Sequence, residues 1–119
     1  MDYIIKGDSK AEVLTDENCF ITELMNSAEH EQISIAKARV VPGVTTELHA
    51  LTGTEEYYYI LSGTGRMEVD SQIIGEVSKG DIVHIKASSP QRIANIGKED
   101  LTFICICTPR FEKNNYLVV

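Results

Sequence analysis

A chain of 119 residues can close one hydrophobic core but not two, so a single domain over 1–119 is expected. Apolar residues make up 43% of it and charged residues 24%, spread without long runs of one letter, which excludes a disordered chain. The formal net charge of -7 works against nucleic acid or an anionic membrane as partner, because affinity for either comes from Lys and Arg.

In chain order, the side chains alternate with a period of two rather than 3.6, the signature of pleated strands. Strands are expected at Ala11 to Thr15, Cys19 to Leu24, Ile33 to Val40, Thr45 to Ala50 and Glu56 to Leu61. Others follow at Arg66 to Val69, Ile73 to Val77, Asp81 to Ile85, Gln91 to Asn95 and Leu101 to Thr108. Turn chemistry separates them at Pro42-Gly43, Thr52-Gly53-Thr54, Ser62-Gly63-Thr64-Gly65, Asp70-Ser71, Lys79-Gly80-Asp81, Ser88-Ser89-Pro90 and Asn95-Ile96-Gly97-Lys98. The helical candidate is the short Asn26 to His30, and the tail over 109–119 breaks the alternation and is expected to pack over an end or edge. Many short strands with no crossover helix predict an all-β antiparallel sandwich or closed barrel.

The longest apolar stretches, Tyr57 to Leu61 and Phe103 to Cys107, fall far short of the roughly 20 residues that cross a bilayer. The opening Met-Asp-Tyr-Ile-Ile-Lys-Gly lacks the layout of a signal peptide, so a cytoplasmic location is expected by default. Cys19, Cys105 and Cys107 are an odd set without CxxC spacing, which predicts reduced thiols rather than a disulfide framework or zinc knuckle.

From Gly43 the spacing becomes specific. His49, Leu51, Glu56 and Gly63 follow it in a pattern that resembles the first cupin motif, G-x5-H-x-H-x3 or 4-E-x6-G, over 43–63, with Leu51 in place of the second histidine. The segment 80–95 resembles the second motif, G-x5-P-x-G-x2-H-x3-N. There Gly80 and Asn95 match, while Lys86, Ser88 and Gln91 replace the proline, glycine and histidine. The Ile-Cys-Ile-Cys-Thr-Pro-Arg-Phe ending also looks like that of small single-domain cupins. The resemblance implies a double-stranded β-helix, or jelly-roll barrel.

It further implies a divalent metal, Mn, Fe, Ni or Zn, held by His49, Glu56 and Gln91, with Gln91 offering only a hard amide oxygen. Glu56 rather than Glu55 is expected to face inward, since neighbours on a strand point to opposite faces. His84, Tyr58 and Leu51 are the remaining pocket candidates. His84 is placed to support a ligand carboxylate or replace a lost histidine, Tyr58 shares the parity of Glu56, and Leu51 fills core or narrows the pocket. Reactions of isomerase, lyase or oxygenase type on a small acidic, sugar-derived or keto substrate are the implied activity. Two alternatives stand beside it: a non-catalytic, metal-free binding or sensing barrel, and a metal-free enzyme using His49 and Glu56 as an acid and base pair. A homodimer formed through the strands before Ile33 is the expected partnership.

Overall fold

The computed structural model describes residues 3–8 and 10–119; Met1, Asp2 and Ser9, which the expected domain includes, lie outside them. Eleven strands are present among the described residues: β1 Glu12–Leu14, β2 Phe20–Met25, β3 Ser34–Val40, β4 His49–Leu51, β5 Glu55–Ser62, β6 Gly65–Val69, β7 Gln72–Val77, β8 Ile82–Ile85, β9 Gln91–Asn95, β10 Leu101–Thr108 and β11 Tyr116–Val118. One sheet has the order β1-β2-β3-β10-β5-β8 and the other β11-β4-β9-β6-β7, and every pairing is antiparallel. From β3 onward the chain passes between the sheets at almost every connection, as a jelly roll requires. No helix among the described residues is long and apolar enough to cross a membrane.

The helical candidate at Asn26 to His30 is instead a turn, closed by the His30 amide donating to the Ser27 carbonyl at 2.9 Å. Five residues offer too few helical hydrogen bonds to offset nucleation. The expected strand from Thr45 shrinks to His49–Leu51, because Thr45 makes only an isolated bridge to Ala94. The tail forms a 3-10 turn at Lys113–Asn115 and then β11, which pairs with β4 along the sheet edge.

Side-chain volume divides the barrel interior into a filled end and a hollow end. At one end Val40, Ile60, Met67, Ile85, Ile93, Leu101 and Phe103 are all 2% exposed or less and pack into one cluster. At the other end the inward positions of β3 and β10 are Ser34, Ala36, Cys105 and Cys107, too small to meet across the interior. Alternation along a single strand therefore carries the chain from packed core into open cavity, Ile60 to Glu56 on β5 and Leu101 to Cys107 on β10.

Asn95, buried at the end of β9, locks the filled end. Its Nδ2 donates to the carbonyls of Val40 and Glu99, each at 2.8 Å, while its Oδ1 accepts from the Gly97 amide at 2.9 Å. The asparagine of the second motif is thus a backbone clamp, satisfying groups that burial would otherwise leave unpaired.

Candidate functional site

The hollow end is a cavity of about 440 Å3. β4 brings His49 and Leu51 to its wall, β5 brings Glu56 and Tyr58, and β10 brings Phe103, Cys105 and Cys107. Glu55 lies on the opposite face of β5, where it meets His84.

His49 is only 4% exposed, and its orientation is fixed by Nδ1, which donates to the Glu47 carbonyl at 2.7 Å. A carbonyl can only accept, so Nδ1 carries a proton, and in the neutral ring the lone pair is on Nε2. Nε2 faces the Glu17 carboxylate at 3.8 Å, beyond hydrogen-bond reach. Tyr116 stacks on the imidazole with centroids 4.7 Å apart, and its hydroxyl donates to Glu47 Oε1 at 2.8 Å.

Glu56 is the second polar group that the cavity walls present. Burial pushes its carboxyl up to about 7, against the lowering effect of the Gln91 amide, and the nearby Glu17 charge adds to the rise. Gln91 Nε2 donates to Glu56 Oε1 at 2.8 Å, and Tyr58 donates its hydroxyl to Gln91 Oε1 at 2.5 Å. The Cys107 thiol approaches Glu56 Oε2 at 3.9 Å. Burial raises the thiols of Cys19, Cys105 and Cys107, so they line the cavity as neutral groups rather than as nucleophilic thiolates.

The structure brings His49 and Glu56 to one cavity but does not make a ligand set of them with Gln91. Gln91 is fully buried behind the wall rather than lining it, and both ends of its amide are engaged. Its oxygen is occupied by Tyr58, and the group it presents to Glu56 is an N–H donor, which repels a cation. Leu51 adds only carbon. Among the described residues no three His, Cys, Asp or Glu side chains are grouped as a metal ion needs. The donors present therefore do not fit a resident divalent cation.

His84 is corrected as well. It stands on the outer face of the six-stranded sheet, stacked on Tyr57 at 4.5 Å and bonded to Glu55 Oε1 at 2.5 Å. Its neighbours Val83 and Ile85 take the inward positions, and the period of two leaves His84 outside. It supports no cavity carboxylate.

Glu17 is a cavity residue that sequence reasoning missed, as is Tyr116. Glu17 lies in the turn between β1 and β2, and its carbonyl accepts from the Glu47 amide at 2.9 Å, which docks the turn beside β4. Burial raises its carboxyl, the Glu47 charge adds to the rise, and the His49 ring, when protonated, draws it back down. No periodicity or motif in the sequence marks it, because it reaches the site only through that tertiary contact.

The family described as Cupin domain matches residues 36–107. An uncharacterized protein of Methanocaldococcus jannaschii is 36% identical over 100 residues, covering 82% of this chain and 79% of that protein. Among solved structures, a predicted oxalate decarboxylase of Thermotoga maritima is similar with a TM-score of 0.76 at 21% identity, over 89% of this chain and 98% of that one. Pac13, a nucleoside dehydratase from Streptomyces, is similar with a TM-score of 0.83 at 12% identity, over 100% of this chain and 92% of that one. At these identities the two structures share the fold with this chain.

Proposed function

The chain belongs to the cupin family, and from that premise we propose that it binds a small molecule in the barrel and moves protons on it without a resident metal, as an isomerase or lyase. The observation that carries this reading is the tautomer of His49: a lone pair on Nε2 facing the same cavity as a carboxyl that burial holds near neutrality. His49 takes a proton from the ligand, and the resulting imidazolium lies beside the Glu17 carboxylate. Glu56, protonated for part of the population at neutral pH, returns a proton at a second position of the ligand. One proton leaves the ligand and one arrives, so the step is an isomerisation, or an elimination when the second proton goes to a departing hydroxyl. A small-molecule dehydratase on the same fold is in keeping with this class.

The test has two arms. Protein purified without chelator is expected to hold well below one metal atom per chain, and EDTA is expected to leave its Tm unchanged. A stoichiometric Mn, Fe, Ni or Zn, lost in both His49→Ala and Glu56→Gln, would overturn the metal-free reading. Small molecules that raise the Tm are then followed by NMR in D2O, where the native protein exchanges a carbon-bound proton of its ligand and His49→Ala does not. Ligands that bind without exchange would instead favour a non-catalytic binding protein.

A homodimer remains our expectation for the assembly. β1 is an edge strand whose Val13 and Leu14 are 58% and 61% exposed, an edge that a second copy would cover. Light scattering at micromolar concentration is expected to give twice the chain mass. The mass of one chain would contradict it.

A further inference from the structure

The charge and hydrogen-bonding character of the cavity selects its ligand. Glu17 and Glu56 line its interior, and the lining residues Asp16, Glu23 and Lys113 are exposed, so the enclosed charge is acidic. The phenolic donors are already committed, Tyr58 to Gln91 and Tyr116 to Glu47. His49 Nε2 is a separate indication of a ligand. It is the free acceptor of a side chain more than nine-tenths buried, it faces the cavity, and it has no hydrogen-bond partner among the described residues.

A cavity with an acceptor lone pair beside the Glu17 carboxylate, and with Glu56 in the same wall, favours a ligand that brings a donor and positive charge. A carboxylate or phosphate placed there would face like charge in a poorly hydrated space, with no guanidinium to hold it. The rings of Tyr58, Phe103, Phe111 and Tyr116 line the same space, and aromatic faces attract cations as well as apolar bodies. We propose that the ligand of this cavity is a small molecule bearing a protonated amine on an aromatic or apolar body, its ammonium set against the Glu17 carboxylate, which leaves His49 Nε2 and Glu56 to face the rest of the ligand. This inference rests on the cavity being a small-molecule site, and it replaces the acidic substrate implied by the sequence resemblance. The raised carboxyls agree with it: without a cation in the cavity, Glu17 and Glu56 hold their protons to higher pH, chiefly because they are buried.

Three probes of matched shape test it by calorimetry: benzylamine, benzyl alcohol and benzoate. Benzylamine is expected to bind and to raise the Tm, with benzyl alcohol about tenfold weaker and benzoate weaker still. Glu17→Gln and Glu56→Gln should each weaken benzylamine by about tenfold while weakening benzyl alcohol far less. Glu17 sits in a turn and tolerates the change even if Glu56→Gln disturbs the wall. Benzoate binding as tightly as benzylamine would overturn the assignment, as would variants that weaken alcohol and amine alike. If the alcohol binds and the amine does not, the amine assignment fails while the small-molecule cavity stands. If none of the three binds, both fail.

Discussion

Replacing Glu56 with glutamine is expected to abolish a fall in stability of about 3 kcal/mol that the native protein shows between about pH 4.5 and about pH 7. In the folded protein burial holds the Glu56 carboxyl up at about 7, whereas in the unfolded chain it titrates at its ordinary value of 4.5. Between those values the folded state keeps a proton that the unfolded state has released, so unfolding releases protons and rising pH favours it. The stabilisation is complete below 4.5, is lost progressively up to about 7, and does not change further above that. Glu17, raised in the same direction, adds its own share, and a Glu17→Gln, Glu56→Gln double variant should be flatter still. Glutamine at 56 preserves the acceptor for Gln91 Nε2, so the wall keeps its hydrogen bond. Urea unfolding at several pH values reads the slope directly. Native and Glu56→Gln curves that run parallel would mean that the carboxylate is not desolvated.

Gly63→Ala is expected to destabilise the fold by about 3 kcal/mol or more, while Gly43→Ala costs about 1 kcal/mol. Both glycines have positive φ, +86° and +81°, so both substitutions carry the strain of a left-handed residue. What separates them is space. A Cβ on Gly63 would lie 2.6 Å from the Asp100 carbonyl oxygen and 2.8 Å from the Leu101 Cα, and both belong to backbone that cannot rotate away. Gly43 has nothing within 4 Å. Gly63 ends the first motif because β5 turns there against the start of β10, where Leu101 enters the core. Urea midpoints for the two variants decide the matter. Equal losses would show that backbone conformation alone, and not this close approach, makes glycine necessary.

Much of the barrel is legible in the sequence because alternation is a local property. In β3, Ser34, Ala38 and Val40 are the buried positions, and small or apolar residues at every second place mark that face from the residue order alone. Glu56 is separable from Glu55 by the same parity, once Gly63 fixes the register. β8 shows where parity weakens. Ile82, Val83 and Ile85 are all apolar, so the pattern does not say which face His84 shares, and only the burial of Val83 and Ile85 puts it outside.

The cavity is less legible. The motif spacing picks out His49 and Glu56, but the chemistry between them depends on which atoms face each other, which spacing does not encode. Gln91 occupies a ligand position of the motif yet serves as a relay between Tyr58 and Glu56. Glu17 and Tyr116 come from opposite ends of the chain and meet at His49 only because a turn docks on Glu47 and the tail adds β11 beside β4. Contacts of that kind arise from tertiary packing and leave no periodic trace.

The proposed chemistry depends on the Nε2 lone pair of His49 and the Glu56 carboxyl facing a single ligand. The direct measurement is a long-range 1H–15N spectrum of the His49 ring at about pH 8, followed as benzylamine is added and paired with the 13C shift of the Glu56 carboxyl. The expected result is a proton on Nδ1 and none on Nε2 in the free protein, with the Nε2 and Glu56 signals moving together on one binding curve. A proton on Nε2 instead, or a ligand that shifts one group and leaves the other still, would contradict it.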